Sequence, residues 1–154
     1  HYRIEGMSLV DVLGQVFGKF FTASCGRTYG DALCGISLAA MTVTGALTGV
    51  TSSYVFRDSS RGEAADWFAA GTIQFTSGNN VGLKPLEIKS YAADGTITLH
   101  EPTYYTPQVG DTFTMVRGCR KREADCVAQG NIINFFGFTR IPAGSTYAHI
   151  GAQS

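Results

Sequence analysis

Neither sign of charge is in surplus: twelve Lys and Arg stand against twelve Asp and Glu in 154 residues, with a sequence pI near 7.0. No long-range field would therefore gather nucleic acid or an anionic membrane, and any basic function is local. Histidine is scarce, with only His1, His100 and His149, so a cysteine nucleophile has little imidazole to activate it. Proline is almost as scarce, at four, while glycine reaches nineteen. With threonine and serine scattered throughout, that balance favours short strands and tight turns over a helical bundle. Internal repeats, low-complexity tracts and linkers are missing as well. What is left is a single domain of ordinary hydrophobicity, 44% apolar and 16% charged, long enough to bury a core without staples. Its four cysteines therefore need a reason other than marginal size.

Unbroken apolar runs are also wanting. Residues 32–56 carry no charged side chain and are long enough on paper to cross a bilayer. Yet Thr42, Thr44, Thr48, Thr51, Ser52 and Ser53 fall among Met41, Val43 and Leu47 in alternation, the pattern of a half-buried strand and not of a lipid-facing helix. No membrane span is expected. The residues ahead of Thr22-Ala23-Ser24-Cys25 faintly suggest a secretory or lipoprotein leader, but Asp11 and Lys19 break the stretch such a leader needs. The sequence opens at His1 without an initiator methionine, which suggests a processed chain or a portion of something longer.

Residues 7–16 place Leu9, Val12, Leu13 and Val16 on one face at helical spacing, with Ser8 able to cap the start. From Ile36 onward the period changes to two. Met41/Val43, Ile73/Phe75, Leu86/Ile88, Ile97/Leu99 and Phe113/Met115 mark five strands. Gly78-Asn79-Asn80, Asp94-Gly95 and Gly110-Asp111 are turn chemistry, and residues 86–99 read as a hairpin closed over Asp94-Gly95. Glu63-Ala64-Ala65-Asp66-Trp67-Phe68 predicts one helical turn whose aromatics plug one end of the sheet. After Cys126 the alternation stops, and residues 130–142 read as an ordered loop packed by its phenylalanines. The expected fold is mainly β: an antiparallel sheet curled into a small barrel, with short helices and a four-cysteine loop region at one end. Residues 1–154 form one domain in this reading, with cysteine-bearing loops 16–36 and 117–142 flanking a β core over 37–116.

Familiar catalytic patterns fail on inspection. Gly14-Gln15-Val16-Phe17-Gly18-Lys19-Phe20 is one residue short of a phosphate loop and lacks the hydroxyl that should follow the lysine. His100-Glu101 is not continued into a zinc-protease helix, and Pro102 would hinder one. Glu63 and Asp66 read as a solvated face.

The cysteines are the informative feature. Cys25 and Cys34 are separated by eight residues, Cys119 and Cys126 by six, and the pairs by 84 residues that include the predicted sheet. Four thiols converging at one end of a sheet fit two disulfides, a four-cysteine zinc site, an iron-sulfur cluster or unlinked buried cysteines, and spacing alone does not choose. Arg117, Arg120, Lys121 and Arg122 surround Cys119. They read either as a solvated rim or as compensation for a buried, anionic thiolate-metal site. A neutral disulfide would gain nothing from them.

Residues Val16-Phe17-Gly18-Lys19-Phe20-Phe21-Thr22-Ala23-Ser24-Cys25 and Tyr29-Gly30-Asp31-Ala32-Leu33-Cys34-Gly35-Ile36 resemble the cysteine-bearing entry to the C-terminal half of tail-tip hub proteins of siphophages and gene transfer agents. The resemblance continues in order through residues 71–82, Val109-Gly110-Asp111-Thr112-Phe113, and Gly118-Cys119 through Cys126 to Asn131-Ile132-Ile133-Asn134-Phe135-Phe136-Gly137-Phe138. The last of these is the most specific part. A more distant kinship links such hubs to the tail tip L protein of lambda-like phages.

What the resemblance implies is a virion part and not an enzyme: a homotrimer at the tail tip, assembled in the host cytoplasm, adapting the distal tail protein to a central fibre or spike. It implies a 4Fe-4S cluster held by Cys25, Cys34, Cys119 and Cys126, acting as a structural clasp above Phe135, Phe136 and Phe138. Family members carry a further N-terminal half, expected here as a separate hub portion or subunit. Arg120 stands where an acidic residue is common, which changes local charge without removing a ligand. Neither direct readout of nucleic acid nor a membrane span is implied. Two other classes stay in view: a secreted, disulfide-bonded β domain binding a small or carbohydrate ligand, and an iron-sulfur redox enzyme, against which the dearth of histidine speaks.

Overall fold

Four of the five alternating pairs sit wholly inside strands, because a period of two puts their apolar side chains on one face of a pleated backbone. The computed structural model describes residues 22–140. The strands are β1 (Thr42–Ala46), β2 (Gly49–Val50), β3 (Val55–Arg57), β4 (Thr72–Phe75), β5 (Leu86–Tyr91), β6 (Thr96–Leu99) and β7 (Thr112–Val116), followed by helix α1 (Glu123–Ala128) and a 3₁₀ turn (Ile132–Asn134). Ile73, Phe75, Ile88, Ile97, Leu99, Phe113 and Met115 all point into one core with Leu47, Phe56, Phe68 and Tyr91. Met41 falls one residue ahead of β1, and β2 and β3 are too short to leave a periodic signature. The helix expected over residues 7–16 and the phosphate-loop-like stretch lie outside the described residues.

All seven strands join one antiparallel sheet in the order β1-β7-β4-β5-β6-β3-β2. The sheet is curled but does not close into the small barrel expected from the sequence. Its edge strands β1 and β2 are consecutive in the chain and do not pair with each other. Only Leu47 and Thr48 separate them, and these continue the extended chain without a turn. These two residues instead pass the pairing from one side to the other. The Leu47 N–H donates to the Asp111 carbonyl at 2.9 Å and the Thr48 N–H to the Arg57 carbonyl at 2.8 Å, as the alternating amides of an extended strand require. Part of the curl originates in β5, whose register on β6 shifts between Ile88 and Ser90, a bulge that bends a strand and increases its twist.

The hairpin of β5 and β6 forms as the sequence predicts, with Gly95 at φ +83° donating to the Ala92 carbonyl at 3.0 Å. A side chain at Gly95 would run into the Asp58 carbonyl. The expected helical turn at 63–68 forms consecutive tight turns instead, because Asp66 and Ala70 both take φ +59°. Its aromatic role survives: Phe68 enters the core and meets the Tyr91 ring edge-on at 5.1 Å. Beside it runs a polar network. Asp58, 1% exposed, accepts from the Ser60 amide and hydroxyl. Arg61 reaches Glu63 at 2.9 Å, and the Tyr91 hydroxyl donates to the other Glu63 oxygen at 2.8 Å. The solvated face expected for Glu63 is thus an internal tie. Burial pushes the Glu63 carboxyl up, but Tyr91 and Arg61 together outweigh it and hold the group below its ordinary value.

Candidate functional site

The chain brings its cysteines in on two segments, each shaped locally. In the first, the Asp31 carboxylate accepts from the Cys34 N–H at 2.6 Å and the Asp31 carbonyl from Gly35 at 2.9 Å. That tight turn points Cys34 inward, where it is buried. The second segment leaves β7 through Gly118, whose Cα lies against the Ala70–Gly71 backbone so closely that a Cβ would overlap it. Lys121 then takes φ +63°, which turns its amide back onto the Cys119 sulfur at 3.4 Å. Helix α1 follows, and Cys126 is its one buried residue.

Hydrogen bonds stitch the two segments together. The Cys25 N–H donates to the Lys121 carbonyl at 2.8 Å, Gly26 to the Phe136 carbonyl at 2.9 Å, and Phe138 to the Thr22 carbonyl at 2.8 Å. The Tyr29 hydroxyl donates to Gln129 Oε1 at 2.8 Å. Asn131, 9% exposed, is the centre of the seam. Its side-chain amide donates to the Cys34 carbonyl at 2.7 Å and lies 3.8 Å from the Cys34 sulfur, while its backbone N–H donates to the Cys126 carbonyl at 2.8 Å. Asn134 Nδ2 in turn donates to Asn131 Oδ1 at 2.7 Å.

The four thiols line one narrow cavity with Tyr29, Lys121 and Asn131 among its other walls. All four are free, so the pair of disulfides considered from the sequence is not formed. Burial pushes the Cys126 thiol up to about 11, and the neighbouring Cys119, Cys25 and Cys34 add to the effect. Tyr29 rises to about 12, through burial first, with Arg117 opposing and three of the thiols reinforcing. Ionising several of these neighbouring groups together would need a cation among them. Neither histidine nor carboxylate lines the cavity, and its four sulfurs are soft donors of the kind that suits zinc or iron-sulfur centres. Among the described residues no group of three or more His, Cys, Asp or Glu is gathered so as to hold a single metal ion. N–H groups are aimed at three of the sulfurs: the Phe136 amide at Cys25 at 3.4 Å, the Lys121 amide at Cys119 at 3.4 Å and the Asn131 side chain near Cys34.

The basic residues divide otherwise than the sequence suggests. Arg120 lies 3.4 Å from Asp66 and 4.0 Å from Asp125, and Arg122 lies 3.9 Å from Asp125. These two therefore face carboxylates and not the cavity. Lys121 lines it, joined by Arg27 from the first segment. Arg117 is buried with its guanidinium 3.6 Å from the Trp67 ring centroid. Phe135 and Phe136 are half-buried and Phe138 is 38% exposed, so the three pack at the margin and do not form a buried floor. Phe136 meets Phe138 edge-on at 5.9 Å, with the Arg27 guanidinium 5.8 Å from the Phe136 centroid. His100 and Glu101 border a separate cleft with Lys84 and Glu87, while His1 and His149 lie outside the described residues. Tyr29, Gln129 and the bridging role of Asn131 have no sequence signature, because each acts through a partner about a hundred positions away. Among the described residues no helix is long and apolar enough to cross a membrane.

Comparison with known proteins adds two findings. A family model described as "Phage conserved hypothetical protein BR0599" matches residues 66–144, a span that holds Cys119, Cys126 and Asn131. A chain from a solved structure described as "Virion of native gene transfer agent (GTA) particle" superposes with a TM-score of 0.71 at 28% identity, over 95% of this chain and 52% of that one. The chain thus spans about half the length of that relative. No curated protein matches it.

Proposed function

The chain belongs to the phage family described as conserved hypothetical protein BR0599, and from that premise we propose that it is a structural subunit of a phage or gene-transfer-agent virion. Within the particle we assign it to the tail tip, as one protomer of a homotrimeric hub. There it would join the distal tail protein and a separate N-terminal hub portion to the central fibre or spike. The observation that carries this reading is the virion chain that covers 95% of this one at 28% identity. The role in this reading is mechanical and not catalytic.

Cys25, Cys34, Cys119 and Cys126 would hold a 4Fe-4S cluster, with Asn131 and the amides of Lys121 and Phe136 supporting three of the sulfurs. When bound, such a group supplies iron-thiolate bonds that cross-link segments flanking the sheet. By the chain-entropy reasoning that gives a disulfide closing a loop of about 100 residues roughly 4–5 kcal/mol, the clasp stabilises the fold by an amount comparable to much of a domain's net stability.

Anaerobic purification followed by iron and acid-labile sulfide analysis tests the cluster. About four of each per chain, lost in Cys25→Ser and Cys126→Ser, is the expected result. One zinc per chain, or a fully folded protein without metal, would overturn it. Antibody labelling of intact particles in negative stain tests the location: label at the tail end sustains the hub, and label on the head or along the tube removes it.

A further inference from the structure

On the sheet, β4 runs to Phe75 whereas β5 begins at Leu86 opposite Ile73, so the last two residues of β4 have no β5 neighbour. Pro85, next in register, cannot donate to a ladder and ends the pairing there. The opening is a cavity of about 500 Å³, floored by Ile73, Phe75 and Leu86 and walled by Leu83 and Tyr104. That volume lies within the range of small-ligand sites, and its lining is apolar in the same way. None of its lining residues belongs to the thiol cavity.

Its walls are fixed in advance. Asn80, 2% exposed, uses both ends of its amide on Tyr105, donating to the carbonyl at 2.7 Å and accepting from the N–H at 3.0 Å. The Thr103 hydroxyl donates to the Ser53 carbonyl at 3.1 Å. Asn80 and Thr103 are thus occupied with holding loops together and offer little to a polar guest. Lys84 is the single charged residue of the lining. Its side chain is exposed, and no ion pair engages it among the described residues. Glu87 and Glu101 share with it only the adjoining cleft.

We propose that this cavity binds a compact aromatic or branched apolar group carrying a carboxylate, with the apolar body against Ile73, Phe75 and Leu86 and the anion at Lys84. Pre-fixed walls reduce the ordering that association costs, and one cation at the mouth of an apolar pocket sets orientation and sign. The chemistry is shared by a free organic acid and by the terminal residue of a neighbouring polypeptide.

Titration of methyl-labelled protein by NMR separates these possibilities, with indole-3-propionate, tryptamine, the tripeptide Gly-Gly-Trp and its C-terminal amide as probes. Indole-3-propionate is expected to shift the Leu83, Leu86 and Ile73 methyls and to bind at least about tenfold more tightly than tryptamine. Lys84→Glu, a surface change that leaves the fold intact, reverses that order. Tighter binding of the tripeptide acid than of the free acid and of the amide identifies a polypeptide terminus, and the opposite order identifies a small acid. Methyl shifts elsewhere, no shifts at millimolar probe, or equal binding of acid and amine overturns the proposal.

Discussion

Replacing Asn131 is the sharpest single perturbation of the thiol cavity that leaves every sulfur in place. Asn131→Ala removes the donor that meets the Cys34 carbonyl at 2.7 Å and the acceptor used by Asn134 at 2.7 Å. A net hydrogen bond contributes about 0.5–1.5 kcal/mol, and a stranded buried partner costs about 1–3 kcal/mol more, so a loss of about 2–4 kcal/mol is expected. For a chain of this size that lowers Tm by about 5–15 °C. Asn131→Asp has nearly the same shape but sets an acceptor against the Cys34 carbonyl and sulfur, so it is expected to lose at least as much. Urea unfolding of the protein as purified, followed through Trp67 fluorescence, measures the stability. The rate of Cys34 alkylation, read by mass spectrometry, measures local opening, and about 2 kcal/mol corresponds to roughly thirtyfold faster labelling. Wild-type stability and labelling in Asn131→Asp would refute the reasoning, whatever the metal content proves to be.

Two further outcomes follow from the sheet and its polar network. Gly45 sits in β1 opposite Phe113, and a Cβ there would collide with that ring and with the Asp58 carboxylate, so Gly45→Ala should cost at least about 1–3 kcal/mol; an unchanged urea midpoint would contradict this. Glu63 is held below its ordinary value, so the unfolded chain binds its proton more readily than the folded one. Its stabilisation is therefore complete above about pH 4.3, the usual glutamate value, and drains away as the pH falls through the lower, folded value. Glu63→Gln should flatten the acid limb of a stability-against-pH curve between about pH 5 and 3, and an identical limb would show that the tie to Tyr91 and Arg61 is energetically silent.

Legibility in the sequence depended on how far apart the cooperating residues lie. Alternation is a local property, so Ile73/Phe75 or Phe113/Met115 announce their strands and their buried face without help. The Asp94-Gly95 turn was equally readable, since a left-handed residue there needs glycine. Closure was not, because which strands lie at the edges of the sheet depends on pairings as distant as that of β1 with β7. The tight turns at Asp66 and Ala70 replaced a helix because two left-handed residues overrode local propensity. At the thiol cavity the residue types and spacings identified the four sulfurs, and the structure brings all four together. The destinations of the arginines were hidden: Arg120 is drawn to Asp66, 54 positions earlier, a pairing that no reading of residues 117–122 contains.

The two thiol-bearing segments lie on either side of the sheet in the chain, and this imposes an order on biosynthesis. Cys25 and Cys34 emerge from the ribosome before β1, whereas Cys119, Cys126 and Asn131 emerge only after β7 has been made. A nascent chain interrupted between Val116 and Cys119 can complete every strand pairing yet possesses half a cavity. Completing that cavity is accordingly a late event, and a chain that has done so has been translated past all four of these thiols.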